Sequence, residues 1–312
     1  MDADRARGAL LGTFVGDALG MPFEGAPPDA VPERPEMEEA RLGRGTYTDD
    51  TQMMIALAES LVACGAVDED HLAAAFLAAH EPERGYGAGT RAVLRLLSEG
   101  VPAREAAGRV FDGRGSLGNG AAMRVAPVAV RFAADKGHLA EQAERSARVT
   151  HAHLLGVDGA LVQAAAIGAA LRGDDVLAAS HEAARTAELR HRLDAVATLL
   201  GHPLPADHPP GGKQPSPRPT GVARAVELLG NGSAAMESVP TAIYAALAHD
   251  RFEDAVAFAV SCGGDADTIA AMAGAIAGAR DGDSAIPARW LEALEDGPKG
   301  RSHVERLAEC LI

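Results

Sequence analysis

Aromatic residues are scarce in this sequence, 4% of 312 residues with a single Trp. With so few rings, Leu, Val and above all Ala must fill the core. Ala-rich chains read as closely packed helices, because Ala is the best helix former and lets helix axes approach. Positive charge is also in deficit: 29 Lys and Arg stand against 44 Asp and Glu, a net charge of −15. Such a surface repels a phosphate backbone, so stable nucleic-acid binding is not expected. The three cysteines (Cys64, Cys262 and Cys310) are odd in number and far apart, with no CxxC pair. That argues against a disulfide framework or a structural zinc site and points to a reducing cytoplasm. The longest apolar stretches, Leu154–Leu171 and Ile269–Ala279, are interrupted by Asp158 or too short to span a bilayer. The N-terminal MDADRARGALLG mixes charges of both signs, unlike a signal peptide. Neither a membrane span nor a leader is expected.

Sustained β alternation is missing as well, and the economical reading is an all-α bundle. The apolar spacing predicts helices from about Arg5–Leu19 and Thr51–Val62 onward to Ile269–Arg280 and Pro287–Leu294. Ala121–Ala134, Asp175–Ala197 and Thr241–Ala248 each read as one element. Met21–Gly45 is rich in Pro and Glu, and His202–Thr220 carries seven prolines. Loops of this length are lids, binding loops or insertions. Because helical pattern of the same composition resumes after residue 220, the second reads as a Pro-rich insertion at about 202–220 in a single domain spanning 1–312, and a monomer is the default.

Chemistry concentrates first at Thr46–Thr51, TYTDDT. Acids at a helix start commonly serve only the macrodipole and the free N–H groups. Two adjacent acids bracketed by threonines exceed what a cap needs. Thr48, Asp49 and Asp50 offer hydroxyl and carboxylate oxygens of the kind a hard divalent cation takes. The second concentration is GGDADT, Gly263–Thr268. Its spacing fits neither an EF-hand, whose sixth and twelfth positions would be Ala270 and Ile276, nor a DxDxT phosphatase, since Ile269 stands where the Thr belongs. The Gly274–Gly278 GxxxG reads as close packing in a soluble helix. Asp265, Asp267 and Thr268 therefore form a second set of oxygen donors. Four carboxylates drawn together would repel and raise one another's pKa, and two adjacent divalent cations are the physical reason to tolerate them.

Three further segments can hold a substrate. Glu24 lies in a loop bounded by Pro22 and Gly25, where the ordinary reading is a solvated surface group. GRGSLGNG, Gly113–Gly120, precedes an apolar helix, and its glycines suit a pyrophosphate held by backbone N–H groups, although such a glycine loop alone is weak evidence. Thr150-His151-Ala152-His153 places two imidazoles at a helix start; isolated histidines are more often caps or core hydrogen-bonders.

Taken in order, GALLGTFVGDALGMPFEG, GTYTDDTQM, RGYGAGT, GSLGNGAAMRVAPVA, THAHLLGVDGA, LLGNGSAAMESVPTA and GGDADTIAAMAGAIAGA resemble the ADP-ribosylglycohydrolase family, from near the N-terminus to about residue 280. The resemblance implies an all-α fold with a central dinuclear cleft holding two Mg²⁺ or Mn²⁺ ions. Thr48, Asp49, Asp50 and Asp267 would hold one ion, and Asp265, Asp267 and Thr268 the other. It implies Glu24 as a mobile-loop catalytic acid or base beside the metals, with Asp267 bridging them. Ser116, Gly118, Asn119 and Gly120 would lie around the diphosphate and distal ribose, His151 would contact a ribose, and Asp17 would support the ligands from behind. The implied activity is hydrolysis at C1″ of ADP-ribose on a protein side chain. A free ADP-ribosyl metabolite, ADP-ribosylated nucleic acid, or non-catalytic binding of ADP-ribose are the alternatives. One departure stands out: some relatives carry an aromatic where this chain has Leu117. Adenine stacking must then come from elsewhere, with Tyr86 as the ring on offer, or be weaker.

Overall fold

The computed structural model describes residues 2–32, 34–201 and 221–312. The expected insertion at 202–220 lies outside the described residues. All regular structure among them is helical: α1 Ala3–Gly20, α2 Asp49–Cys64, α3 Glu69–Ala79, α4 Ala88–Ser98, α5 Ala103–Ala106, α6 Ala126–Phe132, α7 Lys136–Arg148 and α8 Leu154–Arg172. There follow α9 Val176–Ala183, α10 Ala187–Leu199, α11 Gly221–Leu229, α12 Ala235–Leu247, α13 Phe252–Ser261, α14 Ala266–Asp281, α15 Ala288–Ala293 and α16 Arg301–Leu311. One isolated antiparallel bridge, Gly118 to Ala234, is the sole β pairing among the described residues.

The scarcity of aromatics has the consequence expected of it. The centre of the molecule is α1 packed along α14, the most extensive helix pair present. Gly8, Gly12, Gly16 and Gly20 recur every fourth residue and put one bare stripe on α1. A Cβ on Gly12 would overlap the carbonyl oxygen of Gly274, and one on Gly8 that of Gly278. The GxxxG of α14 is thus matched by glycines on α1, and the two backbones run antiparallel in direct contact. The same ladder continues through Gly16 against Ala270 to Gly20, whose Cβ would fall 2.5 Å from the Asp267 Cα. Close packing therefore delivers the C-terminal end of α1 to the N-terminal end of α14.

Helix α8 is long and apolar enough to cross a membrane, but 83% of its apolar window is buried inside the protein. Its Asp158 is a structural acid. The buried carboxylate accepts from Arg185 N (2.9 Å), Thr186 N (2.7 Å) and Thr186 Oγ1 (2.6 Å). These bonds satisfy the free N–H groups at the start of α10 and split the expected Asp175–Ala197 helix into α9 and α10. Two other boundaries move: residues 120–124 are turns before α6, and α12 begins at Ala235 and runs through Pro240. Two helices, α3 and α16, were not anticipated.

Candidate active site

Asp17, in the last turn of α1, has no exposed surface. Its carboxylate accepts from Thr48 N (3.0 and 3.1 Å to its two oxygens), Thr51 N (3.1 Å) and Thr51 Oγ1 (2.6 Å). A helix start leaves its first N–H groups without partners, and here α1 supplies the acceptor. Thr48 Oγ1 completes the cap by accepting from Asp50 N at 3.3 Å. So fixed, α2 presents Asp49 and Asp50 to a cleft, while Thr48 and Asp17 lie beneath it.

The second acidic motif arrives by a sharp bend. Gly263 and Gly264 have φ of +60° and +62°, and a side chain on Gly264 would overlap the Asn231 carbonyl, so this double turn requires glycine. Gly25 N donates to Gly264 O (2.7 Å), and Gly264 N donates to Ala26 O (2.8 Å). These two bonds stitch the Glu24 loop to the Asp265 loop. Glu24 lies at the cleft mouth, paired with Arg41 at 2.6 Å. The motifs meet where Thr268 Oγ1 donates to Asp50 Oδ1 at 3.4 Å, across 218 positions of sequence.

The cleft, a cavity of about 580 Å³, has Glu24, Asp49, Asp50, Asp265 and Thr268 on its acidic side. Asp267 is buried just below, its Oδ1 accepting from Thr268 N at 2.9 Å. Burial and mutual repulsion disturb the acids. Asp49 is pushed up to about 7, first by removal from water and then by the charge of Asp17. Asp17 is raised to about 6 by burial, against the pull of its Thr51 and Thr48 hydrogen bonds. Burial followed by neighbouring carboxylates drives Asp50 and Asp267 well above the usual range. Burial also raises Asp265, opposed by the amide of Asn119.

This donor set fits divalent cations. Asp50 Oδ2 is buried with no hydrogen-bond partner, an arrangement that leaves an uncompensated polar atom unless a cation faces it. The other oxygens are hard donors of the kind Mg²⁺ and Mn²⁺ prefer. Among the described residues, no three His, Cys, Asp or Glu side chains already converge closely enough to clamp an ion. The fold brings these oxygens to one cleft without fixing a coordination polyhedron.

Across the cleft lies the glycine loop. Its antiparallel pairing with the Gly230–Ala234 turn, Asn119 N to Ser233 O (2.9 Å) and Ala235 N to Leu117 O (3.0 Å), holds Ser116, Gly118 and Gly120 on the wall. Asn119 also lines the cleft, and its Nδ2 donates to Asp265 Oδ2 (2.5 Å) and Ser238 Oγ (3.0 Å), so its amide has a further task that the sequence did not show: it orients the Asp265 carboxylate. Tyr86 requires a correction. It is 1% exposed and does not line the cavity; its hydroxyl donates to Gln52 Oε1 at 2.6 Å, and its ring packs edge-on against His80. It cannot stack on a ligand in the cleft.

The aromatic that does line the cleft is Phe111, 48% exposed, close to the exposed Leu117. Phe111 and Asp112 hold φ of +52° and +56°, a conformation disfavoured for residues with a Cβ and commonly retained at functional sites. The sequence signal was an aromatic immediately before an Asp-Gly turn at the mouth of the glycine loop. His151 and His153 also line the cavity.

A sequence model described as ADP-ribosylglycohydrolase matches residues 1–312. The chain is 35% identical to the ADP-ribosylhydrolase ARH3 of Danio rerio, covering 100% of this chain and 92% of that protein. It is 29% identical to the ADP-ribosyl-[dinitrogen reductase] glycohydrolase of Rhodospirillum rubrum, covering 99% and 96%. A solved structure described as an ADP-ribosylglycohydrolase-related protein complex superposes with a TM-score of 0.77 at 32% identity, covering 99% of this chain and 97% of that one.

Proposed function

The chain belongs to the ADP-ribosylglycohydrolase family, and from that premise we propose that it is a divalent-cation-dependent hydrolase of the glycosidic bond at C1″ of ADP-ribose attached to a protein side chain. The observation that carries this reading is the meeting of Asp50 and Thr268, from motifs 218 positions apart, beside a buried carboxylate oxygen with no partner.

In this reading Thr48, Asp49 and Asp50 with Asp267 would hold one cation, and Asp265, Asp267 and Thr268 would hold the other. When bound, the cations supply positive charge that orients ribose hydroxyls and lowers the pKa of water. The chain does the rest. Asp17 locks the start of α2 and Asn119 locks Asp265, so the ligands are preorganised and need not be gathered during turnover. The glycine wall admits the diphosphate close to backbone. Cleavage develops oxocarbenium character at C1″. A water oxygen bonds to C1″ as the bond to the side chain breaks. Glu24, exposed at the mouth and tethered by Arg41, accepts the proton of that water and returns one to the leaving group.

A second reading keeps the enzyme and changes the substrate to a free ADP-ribosyl metabolite. The exposed Leu117, in place of a ring, supports it, because weaker base stacking favours a ligand gripped mainly at its ribose and diphosphate. One assay separates the two: Arg-, Ser- and nucleobase-linked ADP-ribose and a free acyl-ADP-ribose, each with Mg²⁺, Mn²⁺ or a chelator. Cation-dependent release from modified protein supports the first reading, and release from the free nucleotide alone replaces it with the second. Asp267→Ala is expected to abolish release while leaving the helical circular dichroism intact. Turnover retained in that variant overturns the metal assignment.

A further inference from the structure

Arg124 is fully buried, and its contacts come from three elements. Its guanidinium lies 4.6 Å from the Phe76 ring centroid and 3.8 Å from Met53 Sδ, and its Nη2 donates to Ser146 O (3.0 Å) and Thr150 Oγ1 (2.8 Å). It neither touches the cleft nor pairs with a carboxylate. Thr150 Oγ1 in turn lies 2.8 Å from His151 Nδ1, and both side chains are buried.

The direction of these bonds follows from donor chemistry. A guanidinium donates only, so Thr150 Oγ1 must accept from Arg124. A hydroxyl has one proton to give, and among the described residues the one acceptor Thr150 Oγ1 meets is His151 Nδ1. A buried hydroxyl whose proton goes nowhere is costly. Thr150 therefore donates to Nδ1, which must be the bare nitrogen, and the proton of the neutral ring resides on Nε2. Nε2 has no partner among the described residues, and the ring lines the cavity, its Cε1 and Nε2 beside Gly120 and its Cδ2 beside Gly156.

We infer that Arg124 and Thr150 are positioning residues that lock His151 as a neutral Nε2–H donor aimed into the cleft, to be met by a hydroxyl or diphosphate oxygen of the substrate. The ring is thereby excluded from proton transfer, a role left to the carboxylates. The electrostatics agree: burial, with the Arg124 cation adding to it, depresses the imidazole to about 3. His151 remains uncharged throughout the working range, and the fixed donor discriminates by geometry without adding charge. The donor role toward substrate rests on the hydrolase reading above; the tautomer itself does not.

The test is long-range ¹H–¹⁵N correlation on uniformly ¹⁵N-histidine-labelled protein, with His151 assigned by its loss in His151→Gln. The wild type is expected to show His151 protonated on Nε2 only, unchanged from pH 8 to pH 5. A signal protonated on Nδ1, or titration within that range, overturns the inference. Thr150→Val is expected to release the lock and give a mixture of tautomers, with Thr150→Ser restoring the single form and Arg124→Met also giving a mixture. If the valine variant is folded and keeps pure Nε2–H, the relay is wrong. If it fails to fold, the wild-type spectrum decides the tautomer alone. For the donor role, ADP-ribose binding by Thr150→Val in calorimetry is expected to weaken by the inverse of the Nε2–H fraction its spectrum shows, about tenfold where a tenth remains, with Thr150→Ser within twofold of wild type. Wild-type affinity in a variant whose ring is mostly protonated on Nδ1 refutes that role. A wild type that has the tautomer and binds ADP-ribose but turns over no substrate refutes the hydrolase reading instead.

Discussion

Asp17 Oδ2 accepts a 2.6 Å hydrogen bond from the hydroxyl of Thr51, both residues fully buried, and so ties the end of α1 to the first turn of α2. The same carboxylate also takes the N–H groups of Thr48 and Thr51. Asp17→Ala leaves these donors unpartnered and opens a small cavity. Relief of one buried charge offsets only part of this. At about 1–3 kcal/mol per orphaned group, we expect a net loss of roughly 2–4 kcal/mol in denaturant unfolding and at least a tenfold weaker Mn²⁺ affinity. Stability and affinity both unchanged would show that Thr48–Thr51 holds its own geometry.

Removal of a different acid is expected to act in the opposite direction. Asp50 Oδ2 is buried and unpaired, and repulsion from Asp17 and Asp267 compounds the effect of burial. Asp50→Asn keeps the shape and removes the charge. Without divalent cation the variant is expected to melt higher than wild type, by about 1–3 kcal/mol of stability. With Mn²⁺ it is expected to show almost none of the wild-type rise in Tm. Thermal melts of both proteins with chelator and with Mn²⁺ test this; a variant that melts lower in chelator contradicts the electrostatic argument.

The pH dependence follows from the same carboxyls. Asp17 at about 6 and Asp49 at about 7 are raised from unfolded values near 4, and Asp50, Asp265 and Asp267 shift the same way. Between the unfolded and folded values the folded protein binds more protons, so its stability falls as pH rises. Chelated protein is expected to melt several degrees lower at pH 8 than at pH 5.5. Saturating Mg²⁺ or Mn²⁺ compensates the ionised carboxylates and is expected to narrow or reverse that difference. A chelated protein whose Tm rises over this range would contradict the raised values.

The acidic motifs were legible in the sequence because their chemistry is local: TYTDDT and GGDADT each concentrate donors within six residues. What lay beyond reach was pairing at a distance. Nothing near residue 185 indicates that Asp158 of α8 will cap α10, so that break was invisible. Asn119 read as a phosphate-loop residue because its neighbours are glycines, and nothing in the sequence shows that its amide also holds Asp265, 146 positions away. Tyr86 failed for a related reason: composition shows that a ring exists, and only packing shows that it faces Gln52 and His80.

The glycine ladder was half legible, since the GxxxG of α14 read as close packing while its match on α1 did not. It yields a stability prediction. A Cβ on Gly12 would meet the backbone of Gly274, which has no side chain to move aside. Gly12→Ala improves helix propensity by about 1 kcal/mol, but separation of two packed backbones outweighs it. We expect a net loss of about 3 kcal/mol or more, together with weaker cation binding because the ladder also locates Asp267. Gly108→Ala, with nothing within 4 Å of the new Cβ, is the control and is expected to stay within about 0.5 kcal/mol of wild type.

The last prediction separates the two rings that compete for the nucleoside. Phe111 presents an exposed ring to the cleft, and Gly89 leaves room for it, since a Cβ there would sit 2.9 Å from the ring edge. Tyr86 is enclosed and hydrogen-bonded to Gln52. Base–aromatic stacking contributes about 1–3 kcal/mol, so Phe111→Ala is expected to weaken ADP-ribose binding roughly tenfold or more. Its affinity for ribose 5-phosphate, which has no base, is expected to be unchanged. Tyr86→Leu, which removes an enclosed ring that does not line the cleft, is expected to leave the ADP-ribose affinity of the folded protein within about threefold. Leu117→Tyr, on the same wall, is expected to tighten it severalfold by giving the base a second face. Calorimetry on the three variants decides the matter. If Phe111→Ala binds like wild type while Tyr86→Leu does not, the base lies elsewhere, and the glycine loop must be reached by the ligand in another orientation.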